Sequence, residues 1–180
     1  MKKFKWIAIF PYDLWKIQES WIKPLNELDF PCVYSEYGFN ALKPHVPHIR
    51  YYRPELNGWD AFVPLDKFES RKIVFPNIPL NKTIFGFIGQ NQIRKSPERL
   101  IKAFFEAKKV NPDIVLYLHT DMQHLYNLKQ IAQDCGAKDG DLVSKQQGFS
   151  YDRAKMPQVY NALDCVINCS MQEGLSWTPL

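Results

Sequence analysis

Apolar residues along this chain follow two periods that take turns. Residues 83–89, TIFGFIG, form an unbroken apolar run ending in glycine, which predicts a parallel strand buried on both faces. Ser96-Pro97-Glu98 then offers an N-cap, a proline for the first helical position and an acid for the first turn. Leu100, Ile101, Phe104 and Phe105 follow at helical spacing. Residues 113–121, DIVLYLHTD, predict the next strand. A helix with Leu125, Leu128, Ile131, Ala132 and Cys135 on one side comes after it and closes at Gly136. A short strand at Leu142 and Val143, a helix over 152–163 and a buried strand over 164–170 complete the series.

Upstream the same alternation is shorter and richer in proline and aromatic residues: strand 6–10, helix 14–28, strand 32–35, helix 38–43, strand 49–52. Alternation of this kind predicts an α/β fold built of βαβ units, with parallel sheets and right-handed crossovers. Ligands of such open sheets sit beyond the carboxyl ends of the strands, at helix N-termini. That rule selects residues 89–96, 119–121, 148–151 and 173–178 as one rim. Three strands with two helices are too few for an independent doubly wound domain. The helix expected after the last strand is also missing, so the chain reads as a fragment.

Composition narrows the class. Of the 180 residues 46% are hydrophobic and 14% aromatic, enough for a core and against disorder. The formal charge of +4, with no basic run longer than a dipeptide, disfavours nucleic acid and suits small anionic ligands. No apolar stretch reaches the roughly 18–20 residues of a membrane span. The N-terminal MKKFKWIAIFPYD could pass for a weak signal peptide, but Lys5 and Trp6 interrupt it, Pro11 and Asp13 end it, and a buried strand fits better. Cys32, Cys135, Cys165 and Cys169 show neither zinc nor disulfide spacing, which places the protein in the cytoplasm. Cys165 and Cys169 are expected to share a face as small core residues. His45 and His48 lack the partners of a metal set and read as loop histidines.

Two stretches carry candidate chemistry. In GQNQIRKSPERL, Gly89 ends a strand, Gln90 and Asn91 open a polar loop, and Arg94-Lys95 precede a well-capped helix. Glycine permits a close backbone turn, and cations beside free helical N–H groups would suit a phosphate. A solvated Arg-Lys pair before an ordinary amphipathic helix fits the same residues. In SMQEGLSWTPL, Glu173 precedes Gly174, and Thr178-Pro179 repeat the cap-and-proline pattern. The N–H groups of Leu175 and Ser176 could meet an anion or sugar hydroxyls, with Glu173 accepting from the hydroxyls. An exposed acid in a strand-to-helix loop is the plainer alternative.

FGFIGQNQIRKSPERLIKAF, YNALDCVINCSMQEG and the terminal EGLSWTPL resemble the donor-binding domain of GT-B glycosyltransferases, in the large retaining family (glycosyl transferases group 1, family 4) that includes sucrose and mannosyl transferases. PELNGWDAFVPLDKFESRK looks like that family's linker, with Gly58-Trp59-Asp60 and Phe62-Val63-Pro64 standing for its glycine-valine-aspartate turn and Phe-x-Pro. The resemblance implies a partial acceptor-side α/β unit over 1–53, a linker over 54–80 and an incomplete Rossmann-like nucleotide-sugar domain over 81–180. The family's signature is two glutamates with seven residues between them. Glu173 fits the first, so the sequence ends inside the motif.

Carried over, the resemblance implies that Lys95 holds the donor diphosphate, with Arg94, Gln90 and Asn91 beside it. It implies that Glu173 lies by the donor sugar as the catalytic residue, that Gly89, Gly174, Leu175 and Ser176 approach the donor, and that Phe149 falls near the nucleobase. Gln90 stands where the family usually has an arginine, and Arg94 could reach the same oxygens from four residues on. The implied protein transfers a sugar from a nucleotide diphosphate donor to an unknown acceptor (glycan, lipid or protein), retaining configuration, with no metal or other cofactor and with room for peripheral membrane association. The fragment alone is expected to be weakly active or inactive. A non-catalytic nucleotide- or sugar-binding scaffold derived from such an enzyme is the competing reading, and Gln90 favours it.

Overall fold

The computed structural model describes residues 4–53, 63–145 and 154–173. They form two compact units: residues up to 53 together with Gln172 and Glu173, and residues 63–171.

The first unit is a three-stranded parallel sheet in the order β1-β2-β3, with β1 at Ile7–Phe10, β2 at Phe30–Val33 and β3 at Arg50–Tyr51. Helices α1 (Glu19–Glu27) and α2 (Glu36–Leu42) make the two crossovers. Because the strands are laid down in one direction, right-handed crossovers put both helices on one face. That face is where Tyr12, Ile17, Val33, Leu42, Val46 and Ile49 pack. Ser35 caps α2 by accepting from the Gly38 N–H at 3.1 Å. On β1, Ile7 is 65% and Ile9 57% exposed, on the face of the sheet opposite that core.

The second unit is a four-stranded parallel sheet ordered β6-β5-β4-β7. Its strands are β4 (Thr83–Ile88), β5 (Ile114–His119), β6 (Leu142–Ser144) and β7 (Cys165–Val166). Helices α4 (Pro97–Val110) and α5 (Leu128–Asp134) pack on one face, where Phe87, Leu116 and Leu118 meet Leu100, Ile101, Phe104 and Leu128. On the other face α3 (Lys67–Val74) and α6 (Met156–Ala162) lie over Ile84, Ile88 and Tyr117. Every residue of β5 is buried, as its continuous apolar run predicts. This is the expected α/β, Rossmann-like architecture.

Three sequence expectations change. The segment read as linker contains α3, whose N-cap Asp66 accepts from the Glu69 N–H at 2.8 Å. The N-cap acid with Glu69 three residues later is a helix-start signal present in the sequence. Leu125 is half exposed and lies before α5 rather than on it, because Asn127 caps the helix at Gln130 N–H. Cys165 is exposed while Cys169 is partly buried, so the two do not share a core face; regular pairing of β7 ends at Val166.

One carboxylate ties α3, β4 and β7 together. Asp164 accepts from the Ile84 N–H at 2.6 Å and from the side chains of Arg71 and Lys67. Buried Arg71 also donates to the carbonyls of Ala162, Leu80 and Lys82. Burial pushes the Asp164 carboxyl up, but the Lys67 hydrogen bond, the Ile84 N–H and the charges of Arg71 and Lys67 outweigh it and hold the group below the ordinary carboxylate value.

At Gly86 a Cβ would stand 2.2 Å from one Leu163 methyl, 2.9 Å from the other and 3.1 Å from Cγ. The whole head of a packed leucine would have to move, so Gly86→Ala is expected to lower stability by about 1–3 kcal/mol. Most of that loss should vanish in a Leu163→Ala background, as a double-mutant cycle by denaturant unfolding would show. A second expectation concerns acid. His119 is fully buried, and burial first, then the Lys145 charge, lower its pKa to about 4. The folded state holds the ring neutral, so its contribution is complete above the unfolded value near 6.5 and is lost as pH falls toward 4, up to about 3 kcal/mol. Stability measured across that window should fall with pH in the wild type and less steeply in His119→Gln. The Asp164 contribution should disappear only below about pH 4.

Candidate functional site

In the second unit β4 runs on to β5 and β6 on one side, while β7 returns on the other. Strand order therefore reverses beside β4, and the crevice beyond the carboxyl ends of β4 and β7 is the place where open α/β sheets bind ligands. Gly89 leaves β4 with its N–H donating to His119 O at 3.3 Å, and a Cβ there would come within 3.1 Å of the Phe87 ring. Gln90 is exposed. A single 3-10 turn, Ile93–Lys95, then carries Arg94 and Lys95 to the start of α4.

Ser96 joins that turn to α4 in a left-handed conformation, φ 48°, while buried to 1% exposure. The expected cap therefore differs in chemistry. Its hydroxyl donates back to Ile93 O at 3.1 Å and caps no N–H of α4. A left-handed serine costs about 1–3 kcal/mol and persists only where its surroundings over-determine it. Here two surroundings do so. Cys169, beyond β7, donates its thiol to Lys95 O at 3.1 Å and to Ser96 O at 3.4 Å, and Met171 N–H donates to Arg94 O at 2.8 Å. Burial pushes the Cys169 thiol up, which keeps the donating S–H form.

Gly89, Gln90, Asn91, Arg94 and Lys95 are thus gathered on one loop, with the exit of β7 laid along it. Asn91 is buried, and its amide serves other backbone rather than the crevice: it donates to Asp121 O at 2.9 Å and Tyr126 O at 2.8 Å, and accepts from Tyr126 N–H at 3.2 Å. Glu173 is partly buried and belongs to the first unit. Phe149, Gly174, Leu175 and Ser176 lie outside the described residues, as do residues 148–151 and most of the linker motif. His48 bonds Leu28 O at 2.9 Å, in keeping with a structural histidine.

Sequence reasoning missed Cys169, Met171 and His124 as parts of this rim. The spacing of Cys169 from Cys165 points to the core face; a polarizable donor just past the end of a buried strand is the available signal. His124 shows no such signal, since its ring meets Asn91 O at 3.2 Å through a long-range contact. Thr120, at the carboxyl end of β5, is buried with no hydrogen-bond partner for its hydroxyl among the described residues. Chemically, the loop offers two cations and the start of a 14-residue helix to an anion.

No protein-family model matches the chain, and no curated protein sequence does. Solved structures do. A glycosyltransferase from Rickettsia africae superposes with TM-score 0.65 at 15% identity, covering 91% of this chain and 45% of its own. TarM gives 0.69 at 12% identity, over 97% of this chain and 34% of its own. The pneumococcal O-GlcNAc transferase GtfA, solved with UDP and GlcNAc, gives 0.59 at 16% identity, over 89% and 29%. This chain spans less than half the length of each of these three. No helix among the described residues is long and apolar enough to cross a membrane. What these likenesses show is the fold, that of the α/β units of GT-B glycosyltransferases.

Proposed function

We propose that this chain carries the donor-binding part of a glycosyltransferase, which moves a sugar from a nucleoside diphosphate sugar to an acceptor with retention of configuration. The observation that carries the reading is the reversal of strand order beside β4. There Arg94 and Lys95 stand at the head of α4, and their loop is held by Cys169 and Met171. In this reading the diphosphate rests against those two cations and the first N–H groups of α4. As the glycosidic bond breaks, negative charge grows on the departing diphosphate. Cations and N–H groups fixed beforehand stabilise that charge without reorganising. Arg94 supplies the second cation that Gln90 does not. The reading assigns the sugar to Glu173 and to Gly174, Leu175 and Ser176, the nucleobase to Phe149, and no step to a metal. GtfA, with UDP in its crystal, is a structural neighbour that supports a uridine or related diphosphate as ligand.

Gln90 supports one rival, a scaffold of the same fold that binds without transfer. Titration of the chain with UDP, GDP and ADP, on wild type, Lys95→Ala and Arg94→Ala, separates these from no donor site at all. Saturable binding to at least one diphosphate is expected, weakened about 10- to 100-fold in Lys95→Ala, the range for losing a charge-assisted contact. Binding unchanged in both variants, or absent in the wild type, overturns the donor-site reading. Binding with no hydrolysis or transfer from the matching nucleotide sugar by a longer polypeptide favours the scaffold.

A further inference from the structure

The segment between β5 and α5 has no regular structure, yet it is tied down at one place. Asp121, Gln123, His124 and Leu125 are exposed, and Gln123 N–H closes a local turn on the Asp121 carboxylate at 2.9 Å. Leu128 N–H donates to Met122 O at 2.9 Å where α5 begins. Four further hydrogen bonds cross to the β4 loop, and all four end on Asn91. Its side chain makes the three to Asp121 and Tyr126 described above, and its carbonyl meets His124 Nδ1 at 3.2 Å. An asparagine amide has two donors and a two-lone-pair acceptor, so three of its four positions are spent on this one segment.

Asn91 lies between Gly89 and Arg94 on the loop that faces the crevice, and β5 is the strand next to β4. Whatever fixes the one loop therefore fixes the other. The contact with Asn91 O also fixes the His124 ring. A carbonyl can only accept, so Nδ1 carries the proton, and in that tautomer Nε2 is the acceptor nitrogen of an exposed side chain.

We propose that residues 121–126 are the second wall of the donor site, held in register with the phosphate-facing loop by Asn91, and that His124 Nε2 accepts a hydrogen bond from a hydroxyl of the bound nucleoside diphosphate. This rests on the donor-site reading above. Asn91 is a positioning residue, acting through the loop it holds; His124 is a binding residue.

The test uses the full chain as wild type, Asn91→Ala, His124→Ala and, at a fully buried position of α6, Val159→Ala, well below the thermal midpoint of each. The last variant loosens the core without touching the rim, and so controls for lost stability. Affinity for UDP, GDP and ADP and amide hydrogen exchange at Tyr126 and Leu128 are read in parallel. Asn91→Ala is expected to weaken binding about tenfold or more and to speed exchange at both amides, whereas Val159→Ala changes neither selectively. His124→Ala is expected to weaken binding about three- to tenfold with exchange unchanged. Wild-type affinity in Asn91→Ala, or an equal loss in Val159→Ala, overturns the second wall; wild-type affinity in His124→Ala overturns its contact. No binding by the wild type overturns the donor site and both ligand roles, while the exchange arm still decides whether Asn91 couples the loops.

Discussion

The pairing of β7 to β4, with Asp164 at its start, is the constraint on which the second unit depends. One carboxylate receives the backbone of β4, a buried guanidinium from α3 and a lysine, while its own N–H donates to Ile84 O at 2.9 Å. A buried ion pair is poor evidence for net stability, because desolvation offsets much of the attraction. Its worth here is geometric. It locks the return strand beside β4 rather than at the far edge of the sheet, and that choice creates the crevice. Gly86 serves the same end, since only a residue without Cβ lets Leu163 close over the strand pair.

From that arrangement the two ends of the sheet take different duties. Below, Arg71 and Asp164 seal strand starts with charge and backbone hydrogen bonds. Above, the strand ends are finished by weak or strained devices: a thiol donor, a left-handed serine and an asparagine spread over two loops. Such groups hold the geometry of the loop that carries Arg94 and Lys95.

Much of this was legible in the sequence because both sheets are parallel and buried strands read as plain apolar runs. The runs at 83–89 and 113–121 and the cap at Ser96-Pro97 located β4, β5 and α4 within a residue or two. The strand at 164–170 came out shorter, since its second half leaves the sheet to cover the β4 loop. Helix α3 hid inside a stretch read as linker, because five of its eight residues are polar or charged and what holds it is Arg71, a residue whose burial no pattern announces. The contacts that Asn91 makes are not legible in the sequence. Its type and place fit a phosphate loop, whereas its partners lie about thirty residues on, at a separation that periodicity does not sample.

The hydrogen bond from Met171 N–H to Arg94 O has a thermodynamic corollary. It joins the loop that carries the cations to the strand exit that leads toward Glu173, so neither can shift without straining the other. A displacement of one therefore carries a free-energy cost in the other, and by linkage that cost is the same read from either side.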